Sequence, residues 1–276
     1  MSEEKESAIR EESKAWELLE KSVMSSNEEH AKGRRWGIIF KCLTFLYLFS
    51  LLFVFKPSIE DKFVDSGDDH VAIVSVHGAI ADKSKGSAKY VNDALKRAFE
   101  HEQTKAIIMD INSPGGSPVQ AGLIYDEIKR LRVIHPEIKV YASIQEIGAS
   151  AAYYIAAAAD EIYAHESSLV GSIGVIAGGF GFSDAMKTHG IERRMYTSGD
   201  HKGFLDPYLP ENEAETEFWE DVLSVTHQQF INKVKAGRGD RLSENEDLFS
   251  GYAWAGEQAL ELGLIDSLGS TASIAR

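Results

Sequence analysis

Ser150 stands in GASAAYY, residues 148–154, among glycine and alanines with no charge beside it. A serine in that setting is either a small residue suited to close helix packing or a nucleophile. A nucleophile needs a group that takes its proton. The residues before it, 138–144, read as a strand, and the small-residue run 149–158 reads as a helix. A strand, a sharp turn and a helix place the turn residue at the C-terminal edge of a sheet, where sites of α/β proteins lie.

The context Gly148-Ala149-Ser150-Ala151 has the small flanks of a Gly-x-Ser-x-Gly elbow, which let a chain bend tightly and a substrate approach. Among nine histidines, His77 ends the first apolar strand and His165 follows a strand soon after Ser150, but neither sits in a motif that marks it as a base. Lys202 lies in SGDHKGFLDPYLP, residues 198–210, a polar loop. A free lysine, with pKa of about 10.4, is a poor base at neutral pH. Burial in an apolar site lowers that value by disfavouring the ammonium. The residues alone leave these bases open, and leave helix packing open for Ser150.

INSPGGSPVQAG, residues 111–122, joins the end of a strand to a helix through Pro114 and two glycines. Backbone N–H groups at such a turn can hold developing negative charge, although a plain strand-to-helix turn has the same composition. It is not a phosphate loop, because SPGGSP lacks the Gly-Lys-Ser/Thr ending. No Cys/His/Asp cluster has metal-ligand spacing, so neither metal nor cofactor is expected.

The elements that must position these residues alternate. HVAIVSVHG (70–78) reads as a strand, and 87–101 as a helix with Val91, Leu95, Ala98 and Phe99 on one face. A strand at 105–112 and a helix at 117–133 follow. EIYAH (161–165) and RRMYTS (193–198) read as short strands, and 211–236 as a long helix with Phe218, Val222, Val225 and Val234 on its faces. GEQALELG (256–263) reads as a last helix, with Gly263 as its C-cap. The alternation implies parallel pairing and an α/β domain.

The net charge of -14 over 276 residues argues against a nucleic-acid partner. The single cysteine, Cys42, excludes an intrachain disulfide. Residues 36–55 are almost continuously apolar, the length of a bilayer-spanning helix. Lys41, the one charge, lies near an end, where it can snorkel. KGRR at 32–35 favours the cytoplasmic side. The expected organisation is a cytoplasmic tail (1–35), a transmembrane anchor (36–55), a linker (56–69) and an extracytoplasmic domain (70–276). A cleaved signal peptide fits less well, since no small-x-small site follows the apolar run.

From about residue 70 onward the chain resembles the signal peptide peptidase family, also called protease IV, in its short single-repeat form. The resemblance rests on INSPGGSPVQAG, GASAAYYIAAAADEIYA, SLVGSIGV, SGDHKGFLDP and GEQALELGLIDSLG, in that order. It implies a ClpP/crotonase-like fold and a Ser–Lys dyad, with Ser150 as nucleophile and Lys202 as general base. It further implies that Ser172 orients the lysine and that backbone N–H groups at Gly115, Gly116 and Ala151 form the oxyanion hole. Many members carry a third glycine where Ser117 stands, and two glycines at 151–152. The implied activity is serine endopeptidase cleavage of remnant signal peptides in a bacterial inner membrane by a ring- or dome-shaped homo-oligomer, an octamer in the family. The rival readings are a quality-control protease of membrane proteins with the same dyad, an acyl-CoA enzyme on the same fold, and a non-catalytic membrane scaffold.

Overall fold

The computed structural model describes Trp36, residues 38–50 and residues 68–276. These fall into two units, one ending at Asp65 and one running from Ser66 to Arg276. In the first, Trp36 and residues 38–50 are helical (α1) and exposed. Among the described residues no helix is long and apolar enough to cross a membrane. The tail 1–35, the end of the expected span (51–55) and linker residues 56–67 lie outside the described residues.

The second unit is a mixed α/β sheet with three helices packed on one face. Strands β1 (His70–His77), β2 (Thr104–Ser113) and β3 (Lys139–Ala149) are parallel neighbours, and β4 (Glu161–Ala164) and β7 (Ser267–Leu268) extend the sheet in the order β1-β2-β3-β4-β7. Alternation along the strands sends Val74 and Val76, Met109 and Ile111, and Val140, Ala142 and Ile144 into the core. Helices α2 (Ala88–Glu100), α3 (Pro118–Ile134) and α4 (Ala151–Ala156) cover that face. Helix α2 buries Val91, Leu95, Ala98 and Phe99, the stripe its spacing predicts. Complete burial of each large side chain there contributes about 1.5–3 kcal/mol. Ser117 caps α3 by accepting from the Gln120 N–H, and Pro118 begins the helix, where its missing N–H costs nothing.

Strand β3 has two neighbours on its far side. Tyr141–Ile144 pair with β4, and Ile147–Ala149 pair with β5 (Leu169–Gly171), which pairs antiparallel with β6 (Ala253–Ala255). A short helix, α5 (Ser183–Thr188), lies in the long segment that follows β5.

One expectation needs correction. Residues 193–198 form no strand. A strand needs a neighbour for its backbone groups, and here the side chains bond locally instead: Arg193 to Asp206 and Arg194 to Glu192. In helix α6 (Glu213–Arg238), Phe218, Val222 and Val225 stay exposed, and the inward stripe ends in Phe230, Val234 and Arg238. Asn212 caps α6 by accepting from the Ala214 and Glu215 N–H groups.

The end of α6 is locked to the sheet by charge. Arg238, fully buried, donates to both Asp266 oxygens and to the Gly263 carbonyl, and Arg241 joins the same carboxylate. Burial alone raises the Asp266 carboxyl. The hydrogen bonds from Arg238, the Ile162 N–H and Arg241, with the charge of Arg238, outweigh it and hold the group below its ordinary value. Helix α7 (Gly256–Glu261) is followed by Gly263 at φ 70°, where a Cβ would lie 1.7 Å from the Arg241 carbonyl oxygen, so only glycine fits. A four-residue helix, α8 (Thr271–Ile274), ends the described chain.

Candidate active site

Ser150 follows the last residue of β3 and precedes α4. Its φ of 54° and ψ of -125° are strained for any residue with a Cβ. Such strain costs on the order of 1–3 kcal/mol and persists only where the surroundings over-determine it. Here the Ser150 N–H donates to the Gly171 carbonyl at 2.8 Å, and the Ser150 carbonyl accepts from the Tyr154 N–H at 3.0 Å. All six residues of α4 are buried, which anchors the far side of the turn. The Ser150 side chain is half-buried, and its Oγ makes no hydrogen bond among the described residues. The turn thus presents a free hydroxyl from a rigid bend.

The sheet register brings two loops to this serine. On one side Ser113 pairs with Gly148, so the segment after β2 runs past Ser150. Gly115, at φ 107°, lies so close that a Cβ there would sit 2.7 Å from the Ser150 Cβ and 2.9 Å from the Ala149 oxygen. Gly116, at φ 149°, is pressed against Ile80, whose carbonyl oxygen a Cβ would approach to 2.1 Å. Of the three candidate donors, the Gly115 N–H already donates to Ser113 Oγ at 3.1 Å. The bridge to Ile80 uses the Gly115 carbonyl and the Ser117 N–H, leaving the Gly116 N–H outside it. The Ala151 N–H, in the first turn of α4, has no intrahelical acceptor.

On the other side Ala149 pairs with Gly171, so the next register position sets Ser150 beside Ser172. Neighbouring strands lie about 4.8 Å apart. Ser172 also has positive φ, 48°, and its N–H donates to the Tyr252 carbonyl at 2.8 Å. Both strands end at neighbouring register positions, each in a serine of positive φ.

No hydrogen bond joins Lys202 to Ser150 or Ser172 among the described residues. Lys202 lies on an exposed run of turns, its N–H bonded to the Gly199 carbonyl, and its ammonium makes no hydrogen bond or ion pair among the described residues. The run is tied to the start of α6: His201 meets Glu215 at 3.0 Å, and the Phe204 ring packs on Phe218 and Trp219. Asp206 closes it, accepting from the Tyr208 N–H and from Arg193; these bonds lower its carboxyl below the ordinary value. The surrounding segment exposes large apolar side chains, with Ile176, Phe180 and Tyr196 each more than four-fifths exposed.

The two histidines considered as bases sit elsewhere. His77 meets Asp110 at 2.9 Å, and His165 Nδ1 accepts from the Ser167 N–H. Both line a cavity of about 720 Å³ whose wall also includes Gln145 and Thr271. Thr271 Oγ1 lies within hydrogen-bond distance of Asp110 and Ser143 there, and Asp110 also meets His77. Neither histidine bonds Ser150. No cluster of three potential metal ligands occurs among the described residues.

Sequence reasoning missed Gly171, Ile80, Ser113 and Tyr252, whose backbone or hydroxyl groups hold the site. Of these, Gly171 and Ser113 carried a signal, within SLVGSIGV and INSPGGSPVQAG.

Comparison with known proteins agrees with this architecture. The model of peptidase family S49 matches residues 134–276, and that of Clp protease matches residues 70–169. A putative protease of Synechocystis sp. is 34% identical over 223 residues, covering 80% of this chain and 74% of the relative. A putative signal peptide peptidase of Enterococcus faecium is 29% identical over 228 residues, covering 79% and 66%. A Brucella abortus protein named as a Na(+)/H(+) antiporter is 42% identical over 214 residues, but this chain spans only 29% of its length.

Proposed function

The chain belongs to peptidase family S49, and from that premise we propose that it is a membrane-anchored serine endopeptidase acting through Ser150 and Lys202. The observation that carries the reading is the Ser150 turn: a non-glycine residue held at φ 54° with an unbonded hydroxyl. Among the described residues, two neighbouring N–H groups, those of Gly116 and Ala151, have no protein acceptor. Strain of this kind clusters where chemistry is done.

In the proposed reaction the Lys202 amine takes the Ser150 proton as Oγ attacks a peptide carbonyl. The tetrahedral oxyanion is held by the Gly116 and Ala151 N–H groups, each contributing roughly 3 kcal/mol. Gly115 serves by its missing side chain, which leaves Ser150 its place. Lysine then returns the proton to the leaving amine; the Lys202 amine next deprotonates a water that attacks the acyl-enzyme, and passes that proton to Ser150 Oγ as the ester bond breaks and the acid leaves. Ser172, next to Ser150 in register, orients the lysine.

Lys202 must reach the serine for this to occur. Its loop is tied to α6 at Glu215, and the Ser172 loop is tied to α6 at His227, 12 residues on. That spacing is about 18 Å along a helix. Together with the exposed Ile176, Phe180 and Tyr196, it favours a ring- or dome-shaped homo-oligomer in which copies cover this surface and the lysine meets a serine. The apolar run 36–55 is read as the anchor, with the catalytic domain extracytoplasmic. Remnant signal peptides, extended and apolar, are the proposed substrates. Incubation of a synthetic signal peptide with the full chain tests this: fragments by mass spectrometry are expected with wild type and none with Ser150→Ala. Equal cleavage by both, or preference for charged over apolar residues at the cut, contradicts it.

A further inference from the structure

Helix α6 buries Phe230 and Val234, and His227, half-buried, lies three residues before Phe230 on the same helix face. A polar ring in an apolar seam is costly unless it is bonded. His227 Nε2 lies 3.1 Å from the Ile173 carbonyl oxygen. A carbonyl only accepts, so Nε2 carries the hydrogen. Ile173 is fully buried and directly follows Ser172 at φ 48°. The bend is therefore gripped at three successive residues. The Gly171 carbonyl accepts from the Ser150 N–H, the Ser172 N–H donates to Tyr252, and the Ile173 carbonyl accepts from His227. Two grips are backbone to backbone; His227 is the side chain among them, reaching across 54 residues of sequence.

We infer that His227 is a positioning residue of the site: its hydrogen bond fixes the Ile173 peptide and so holds the Ser172 hydroxyl at the angle that orients the lysine. The inference rests on the reading of Ser172 given above. Without the donor, a buried carbonyl is left unpaired. The Ile173 peptide then turns toward another partner, and the strained Ser172 relaxes with it.

The test is the rate at which a fluorophosphonate probe labels Ser150 in the full chain, resolved into maximal rate and half-saturating concentration. Rates are normalised to folded protein. His227→Phe keeps the ring and removes the donor, and His227→Leu is the second donor-free variant should Phe not fold. His227→Gln restores an N–H donor. The expected result is a maximal rate about tenfold lower for His227→Phe, as for a sub-ångström misplacement, with half-saturation unchanged and His227→Gln close to wild type. In a Ser172→Ala background, His227→Phe then causes no further loss. Loss by the same factor with and without the Ser172 hydroxyl, or no recovery with Gln, overturns the inference and leaves His227 a core residue. A wild-type rate for Ser172→Ala alone instead overturns the reading of Ser172 on which it rests.

Discussion

Replacing Gly115 by alanine puts a methyl group where the structure has no room. The new Cβ would lie 2.7 Å from the Ser150 Cβ, 2.9 Å from the Ala149 oxygen and 3.1 Å from the Ala151 nitrogen. Carbon atoms pack at about 3.5–4.0 Å, so the serine side is short by roughly 1 Å. The backbone cannot absorb this freely, because φ at Gly115 is 107°, a conformation that costs a residue with a Cβ on the order of 1–3 kcal/mol. The clash falls on the Ser150 Cβ, which the backbone fixes, so it is relieved only by a shift of the Ser150 turn itself. A displacement near 1 Å at a nucleophile lowers the rate about a hundredfold. Gly115→Ala is therefore expected to lower fluorophosphonate labelling of Ser150 by about 10–100-fold and to lower the melting temperature modestly. Gly122→Ala is the control. It lies in α3, with Tyr154 Oη at 3.8 Å from the built Cβ, and alanine there should keep full labelling and gain up to about 1 kcal/mol. If folded Gly115→Ala labels within about threefold of wild type, the steric account of Gly115 is wrong.

Three further outcomes are expected. The Asp266 carboxyl titrates below its ordinary value, so its pair with Arg238 stabilises the fold above about pH 4, the unfolded carboxyl's range. That stability is lost as pH falls through the lower folded value. Melting curves from pH 3 to 7 should show Asp266→Asn less stable at neutral pH and converging on wild type in acid; parallel curves contradict this. Co-expressing Ser150→Ala with Lys202→Ala chains should restore labelling on the Lys202→Ala chain if one copy's lysine serves another's serine, and no restoration refutes that arrangement. Removing residues 36–55 should move the protein from the membrane fraction to the soluble fraction, whereas unchanged fractionation argues against the anchor.

The fold was legible where side-chain pattern decides structure. The α2 stripe and strands β1 and β2 follow from periodicity, because burial on one face sets both. Strand β5 was hidden, since three residues, Leu169–Gly171, carry too little pattern to stand out. Residues 193–198 misled for the opposite reason: their composition suits a strand, but no neighbouring strand supplies hydrogen bonds. Ser150 was suggested by its small neighbours, yet its strained φ follows from the Gly171 bond, a long-range fact. His227 gave no signal at all, because a bonded core histidine and a positioning one look alike in sequence. The role of Lys202 rested on resemblance, and its exposed loop shows why: nothing local makes it a base.

The central claim is that Ser150 is a nucleophile activated by Lys202. Labelling of the purified full chain with a fluorophosphonate, comparing wild type, Ser150→Ala and Lys202→Ala, tests it most directly. The account predicts an adduct on wild type alone, mapped by peptide mass spectrometry to Ser150. Equal labelling of all three proteins, or an adduct at another residue, would contradict it.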